Sequence, residues 1–155
     1  MPKPMTECNP AEDESQSSRI LWRAGKFSWD LDDTALVMAI LNVTPDSFSD
    51  GGLHLDLGDT VAAARRFIEE GADILDVGGE STRPGAAEVC LGDEISRVIP
   101  VIKKLVSNEA VAVSIDTCKA EVAAAGLAAG AAIVNDVTGL QDSAMIDVCV
   151  GSDCG

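Results

Sequence analysis

Four polar side chains, Asn42, Asp76, Asp116 and Asn135, stand at or near the ends of short apolar runs and are the residues best placed to do chemistry. A buried carboxylate without a partner is costly, so groups in such positions surround a ligand, a metal or one another. A carboxylate accepts two parallel hydrogen bonds, and an amide supplies both a donor and an acceptor. Asp116 and Asn135 together therefore suit a flat heterocycle with an N–C–N edge. A structural reading stands beside it with equal weight: Asp116 precedes a helix cap and Asn135 bonds neighbouring strand ends. Asn42 offers a carbonyl oxygen of the kind that ligates a hard cation.

Two loops adjoin these residues. NVTPDSFSDGG (42–52) follows the apolar run 35–41 and shows no helical periodicity until about Gly58. Connections beyond roughly 12–15 residues are uncommon in compact domains unless they bind or cover something, so this stretch reads as a ligand-covering lid. GGESTRPG (78–85) follows the run 73–77. Its glycines permit close backbone approach, Arg83 presents a planar fork of donors suited to phosphate, and Thr82 adds a hydroxyl. The spacing is that of neither a P-loop nor a dinucleotide fingerprint.

The elements that must hold these groups repeat one unit four times. Apolar strands are expected at Leu36–Asn42, Asp73–Gly78, Val111–Asp116 and Ala132–Val137, each followed by a loop and a helix. The helices are expected at Gly58–Gly71, Gly92–Val106, Thr117–Gly130 and Asp142–Val150. Strands alternating with helices predict βαβ units and a parallel sheet, whose C-terminal mouth is where α/β sites are built. By the period-two rule Met38, Ile40 and Asn42 share a face, as do Ala112, Ser114 and Asp116, and Ile133 and Asn135. Asp59 or Thr60 is expected to cap the first helix and Thr117 the third, Gly71 and Gly130 to end helices, and Pro100 to kink the second or delay its start. Upstream, residues 19–33 alternate around Ala24-Gly25 and read as a hairpin. Residues 1–18, rich in Pro, Ser and Glu, read as a disordered tail.

Bulk properties bound the function. A chain of 155 residues, 46% hydrophobic, has the length and core of one domain. With 11 basic against 26 acidic residues, a formal net charge of −15, neither nucleic acid nor an anionic membrane is expected as partner. No apolar stretch approaches the roughly 20 residues of a membrane span, and the polar N-terminus is no secretory signal, so the expected compartment is the cytoplasm. Five scattered cysteines form neither a C-x-x-C pair nor a disulfide framework. The single histidine, His54, removes His-based metal clusters and most Ser/His/Asp arrangements.

NVTPDSFSDGG (42–52), ADILDVGGESTRPGA (72–86), SIDTCKAEVAAAGLAAGA (114–131) and IVNDVTG (133–139) together resemble the dihydropteroate synthase family of pterin-binding enzymes. The likeness runs from about Arg19 to the C-terminus. It implies an α/β (β/α)8 TIM-barrel fold, represented here by a half-barrel of about four βα units behind an N-terminal hairpin that plugs the barrel bottom. Residues 19–155 would be that pterin-binding domain and 1–18 a tail. The reaction implied joins 4-aminobenzoate to 6-hydroxymethyl-7,8-dihydropterin diphosphate with loss of diphosphate, assisted by Mg2+, in folate biosynthesis, the step that sulfonamides target. By resemblance Asn42 coordinates Mg2+, Thr82 and Arg83 lie at the diphosphate and aminobenzoate end, Asp116 and Asn135 hold the pterin, and Phe48 and Pro84 wall the aminobenzoate site. A full member continues through four more βα units carrying another pterin-contacting Asp, a Lys and an Arg-x-His pair. The isolated chain is therefore expected to be weakly active at most and to associate through its open first and fourth strands. The alternatives are a pterin-binding methyltransferase domain using methyltetrahydrofolate, or a non-catalytic pterin-binding fragment.

Overall fold

The alternation of apolar runs with amphipathic segments resolves, in a computed structural model that describes residues 19–44, 57–81 and 86–155, into a parallel sheet backed by helices. The expected tail 1–18 and the lid residues 45–56, with Phe48 and His54, lie outside the described residues, as do Thr82, Arg83 and Pro84. A hairpin comes first, β1 (Leu21–Ala24) paired antiparallel with β2 (Phe27–Asp30). Then follow β3 (Met38–Asn42), α1 (Leu57–Glu69), β4 (Ile74–Gly78), α2 (Leu91–Asn108), β5 (Ala112–Asp116), α3 (Ala120–Ala128), β6 (Ile133–Asn135) and α4 (Ser143–Val150). β3 to β6 lie in sequential order and all run parallel.

The two faces of this sheet have different fates because side chains alternate along a strand. Leu41, Leu75, Val77, Val113 and Ile115 point to the helices and pack with Val61, Ala64, Val98, Ile102, Leu105 and Val122 into the main core. Ile74, Ala112 and Ile133 point the other way and meet the hairpin, where Ala24 is fully buried among Trp22, Phe27 and Trp29. Stacking of Phe27 on Trp29, with ring centroids 5.6 Å apart, makes that hairpin face a rigid apolar plug. Since Ile74 and Ala112 open their strands, the plug sits at the N-terminal end of the sheet and leaves the C-terminal mouth clear, as expected.

Several local expectations need correcting. α1 begins at Leu57, so Asp59 lies in its first turn, where it favours the helix dipole without capping, and Thr60 is buried inside the helix. α3 is preceded by Lys119 at its N-cap position; Thr117 instead accepts the Lys119 amide with its hydroxyl at 3.1 Å. α2 starts at Leu91 and runs on through Pro100, so it does not begin late. Pro100 is exposed, while the buried stripe of Val98, Val101, Ile102 and Leu105 keeps the helix seated on the sheet. Gly71 and Gly130 do end helices, with φ of 102° and 108°.

β6 stands last in the sheet, its edge covered in part by one residue: Gly155 donates to the Ala132 carbonyl and accepts from the Val134 amide, the paired pattern of a parallel bridge. β3 ends the sheet on the other side. On the face opposite the helices Ile40 is 63% exposed, with Met38 also open. Charge at such a position blocks association without touching the core. Ile40→Lys is expected to lower self-association in sedimentation velocity while leaving the melting temperature unchanged. A wild-type chain that stays monomeric at every concentration would remove the premise.

Candidate functional site

Register brings the predicted residues into one row. Asn42 lies opposite Gly78, Gly78 opposite Asp116, and Asp116 opposite Asn135. One step back along the strands the row reads Ile40, Asp76, Ser114 and Ile133. Both rows sit on the face that the helices do not cover, at the C-terminal mouth. Gly78 is required there: a Cβ at this position would stand 3.2 Å from Asp116 Oδ2. The missing side chain leaves the carboxylate its space.

The chemistry of this mouth is acidic and incompletely satisfied. Asn135 donates through Nδ2 to Asp76 Oδ2 at 2.9 Å, which orients the amide. Asp76 is only 2% exposed, yet its Oδ1 has no hydrogen-bond partner, and the buried Ser114 Oγ beside it in register has none either. Buried polar atoms are rarely left in this state, and in a mouth they mark where ligand or water atoms belong. Asp116 is half-buried; burial first, then the negative charges of Asp76, Glu94 and Asp136, push its pKa up to about 6. Asp136 itself is occupied structurally: it accepts from the Thr138 amide and hydroxyl and the Leu140 amide, and holds Leu140 at a φ of 59°. These bonds outweigh burial and keep the Asp136 pKa below the usual carboxylate range.

Asp116 and Asn135 are thus brought together, and Asp76, noticed in the sequence only as a polar strand residue, joins them as a third member. Its signal was present: an acid in the middle of an otherwise apolar buried strand, on the same face as its neighbours' polar residues. Asn42 reaches the same row but is exposed, at the end strand of the sheet. Among the described residues no group of three His, Cys, Asp or Glu side chains could hold a metal. A single amide oxygen fits Mg2+ that arrives on a phosphate and keeps most of its ligands as waters and phosphate oxygens. It does not fit a cation caged by protein.

A second cluster at the mouth was not foreseen. Glu94, on the buried stripe of α2 and 1% exposed, accepts the Thr117 hydroxyl at 2.7 Å on Oε1 and Lys119 Nζ at 2.7 Å on Oε2. Lys119 also donates to Glu80 Oε2, and Glu80 Oε1 accepts the Val89 amide at 3.2 Å. Arg97 Nη1 donates to the Gly79 carbonyl at 2.9 Å. Burial opposes the ammonium of Lys119, but the bonds from Glu80 and Glu94 outweigh it and raise its pKa above the usual lysine range. A glutamate at a position that helical periodicity assigns to the core was the readable clue.

Known proteins resemble this chain in sequence and in fold. The chain is 52% identical over 134 residues, 86% of its length, to a probable bifunctional folylpolyglutamate synthase/dihydropteroate synthase of Haloferax volcanii, of which it covers 16%. Its fold is similar to that of Burkholderia cenocepacia dihydropteroate synthase complexed with 7,8-dihydropteroate, with a TM-score of 0.76 and 41% identity over 88% of this chain and 45% of that one. It is also similar to Xanthomonas albilineans dihydropteroate synthase with 4-aminobenzoic acid, with a TM-score of 0.72 and 52% identity over 77% of this chain and 44% of that one. The chain thus spans less than half the length of each of these proteins, and its four βα units and hairpin correspond to part of their (β/α)8 barrel. Residues 38–155, from the first strand of the parallel sheet onward, match the pterin binding enzyme family, and the chain belongs to that family.

Proposed function

We propose that this chain carries the pterin-binding half of a dihydropteroate synthase, a cytoplasmic transferase that joins 4-aminobenzoate to 6-hydroxymethyl-7,8-dihydropterin diphosphate and releases diphosphate. The observation that carries this reading is the Asp116, Asn135 and Asp76 constellation, with two buried polar atoms left unpaired in the mouth. An ionised Asp116 accepts the ring N–H and exocyclic amine of an aminopyrimidine side by side. Asn135, oriented by Asp76, meets the remaining ring edge. The relatives named for this activity support the same assignment.

In the reaction the amine nitrogen forms a bond to the pterin methylene as its C–O bond to diphosphate breaks, and the amine proton leaves. Arg83 and Thr82, by their resemblance to the family motif, bind the charge that develops on the diphosphate oxygens and the carboxylate of aminobenzoate. Phe48 and Pro84 exclude water from the amine's approach. Asn42 would hold Mg2+ brought in with the diphosphate, and bound there the cation supplies neutralisation of the leaving group. The domain is residues 19–155, with 1–18 as a tail. Turnover requires the remaining barrel units, whether from a longer chain or a partner.

Titrating the chain calorimetrically with 6-hydroxymethyl-7,8-dihydropterin diphosphate, with and without Mg2+, tests the assignment. Mg2+-strengthened binding is expected, with little or no 7,8-dihydropteroate formed on adding 4-aminobenzoate. Absence of any pterin binding would overturn the reading, and binding of methyltetrahydrofolate in preference would move it to a methyltransferase domain.

A further inference from the structure

We propose that Lys119 is a positioning residue for the pterin mouth: its ammonium, gripped by Glu80 and Glu94, fastens the end of β4 and the β5–α3 connection to the first turn of α2. Hydrogen bonds run in one continuous line through it. The Val89 amide donates to Glu80, Lys119 joins Glu80 to Glu94, Glu94 accepts the Thr117 hydroxyl, and the Thr117 amide donates to the Asn135 carbonyl at 3.0 Å. Asn135 then reaches Asp76. The pterin-facing amide of Asn135 and the Val89 backbone are thereby linked through a single cation.

Each carboxylate oxygen in the line is spoken for. Glu94 places one oxygen on Thr117 and the other on Lys119, and Glu80 divides its two between Val89 and Lys119. Lys119 is the cation hydrogen-bonded to both acids, while Arg97 acts on Glu80 through its charge alone. Arg97 is engaged at the Gly79 carbonyl and steadies the same strand end from α2. Without the ammonium, a nearly inaccessible Glu94 would stand unpaired in a mouth that already holds Asp76, Asp116 and Asp136, and the two glutamates would repel each other. The predicted result is separation of Glu80 from α2, with loss of its bond to Val89 and a shift of Thr117 and Asn135.

The ligand part of this inference rests on the pterin reading; the anchoring part does not. Lys119→Met is expected to lower the melting temperature, to weaken dihydropterin diphosphate binding tenfold or more, and to speed amide hydrogen exchange at Val89. Lys119→Arg, which keeps a cation with several donors, should recover most of all three. The double variant K119M/E94L removes the orphaned acid, so its melting temperature should return toward wild type while binding and Val89 protection stay impaired. Full recovery of binding in the double variant, or unchanged binding in Lys119→Met, would reduce Lys119 to a structural ion pair. If the wild-type chain binds no pterin, the functional reading fails, and Val89 exchange alone decides the anchoring: no difference between wild type and Lys119→Met would overturn it.

Discussion

Asp116→Asn is expected to weaken binding of a pterin by about a hundredfold or more at pH 8, since each hydrogen bond to a charged group contributes roughly 1.5–3 kcal/mol. An amide in place of the carboxylate presents one acceptor and one donor to a ligand edge that offers two donors, so one bond is lost and one contact becomes repulsive. The wild-type site should also show its own pH profile. Asp116 is held up to about 6 by burial and by the charges of Asp76, Glu94 and Asp136, so it must lose a proton before it can accept both donors. Affinity should fall about tenfold per pH unit below pH 6, the limiting slope for one required ionisation. The measurement belongs with a pterin lacking phosphate, because phosphate titrates in the same range. A flat profile from pH 5 to 8 would mean that the protonation state of Asp116 does not govern recognition.

The same group makes stability depend on pH. Its ordinary value is 3.8 and its folded value about 6, so between those pH values the folded chain binds more protons than the unfolded one. Stability from the protonated form is complete below pH 4 and is lost as pH rises through 6. The side chain is only half-buried, so solvent reduces the amount. Asp116→Asn should melt like wild type at pH 4 and above it at pH 8, a stability gain at the expense of function. Opposite signs for binding and stability identify a strained functional group rather than a structural one.

How much of this was legible in the sequence follows from range. The strands were legible because apolar runs of the right length, bounded by turn residues, need no partner to be recognised, and period-two alternation gave the face-mates of Asn42, Asp116 and Asn135 within each strand, while only the register brought the three into one row. Helix starts were less so. Thr117 looked like a cap by type and place, but tertiary contacts with Glu94 gave its hydroxyl another task. Pro100 looked like a break, yet the packing of Val98, Val101, Ile102 and Leu105 on the sheet outweighs one missing hydrogen bond on the exposed side. The network through Lys119 joins residues 23 to 39 positions apart in sequence, and only the closure of parallel strands brings them together. Pair identity of that kind has no local signature. The resemblance to a family supplied the roles of Thr82 and Arg83, which spacing alone left as a Gly-rich turn beside an arginine.

Two adjacent glycines at the end of β4 should fail in different ways. Gly79 is buried, and a Cβ there would stand 2.8 Å from Val98 Cγ1, 3.0 Å from Glu94 Cγ and 3.3 Å from the Glu94 carbonyl oxygen. Val98 is fully buried, and the Glu94 carbonyl belongs to the helix backbone, so neither can withdraw. The strand end must move instead, which strains the Arg97 bond to the Gly79 carbonyl and the Glu80 links beyond it. Overpacking of this kind costs about 1–3 kcal/mol. For a chain of this size that corresponds to a fall of roughly 2–12 °C in melting temperature for Gly79→Ala, from about 2–4 °C per kcal/mol. At Gly78 the nearest neighbour is the Asp116 carboxylate at 3.2 Å, the free end of a half-exposed side chain. That group can yield, so Gly78→Ala should leave the melting temperature nearly intact while turning Asp116 away from the pterin edge and weakening binding. Thermal unfolding and ligand titration on the two variants separate the cases. Equal melting temperatures would show that α2 gives way to an added methyl at Gly79, and that the close approach of strand and helix is not what fixes the mouth.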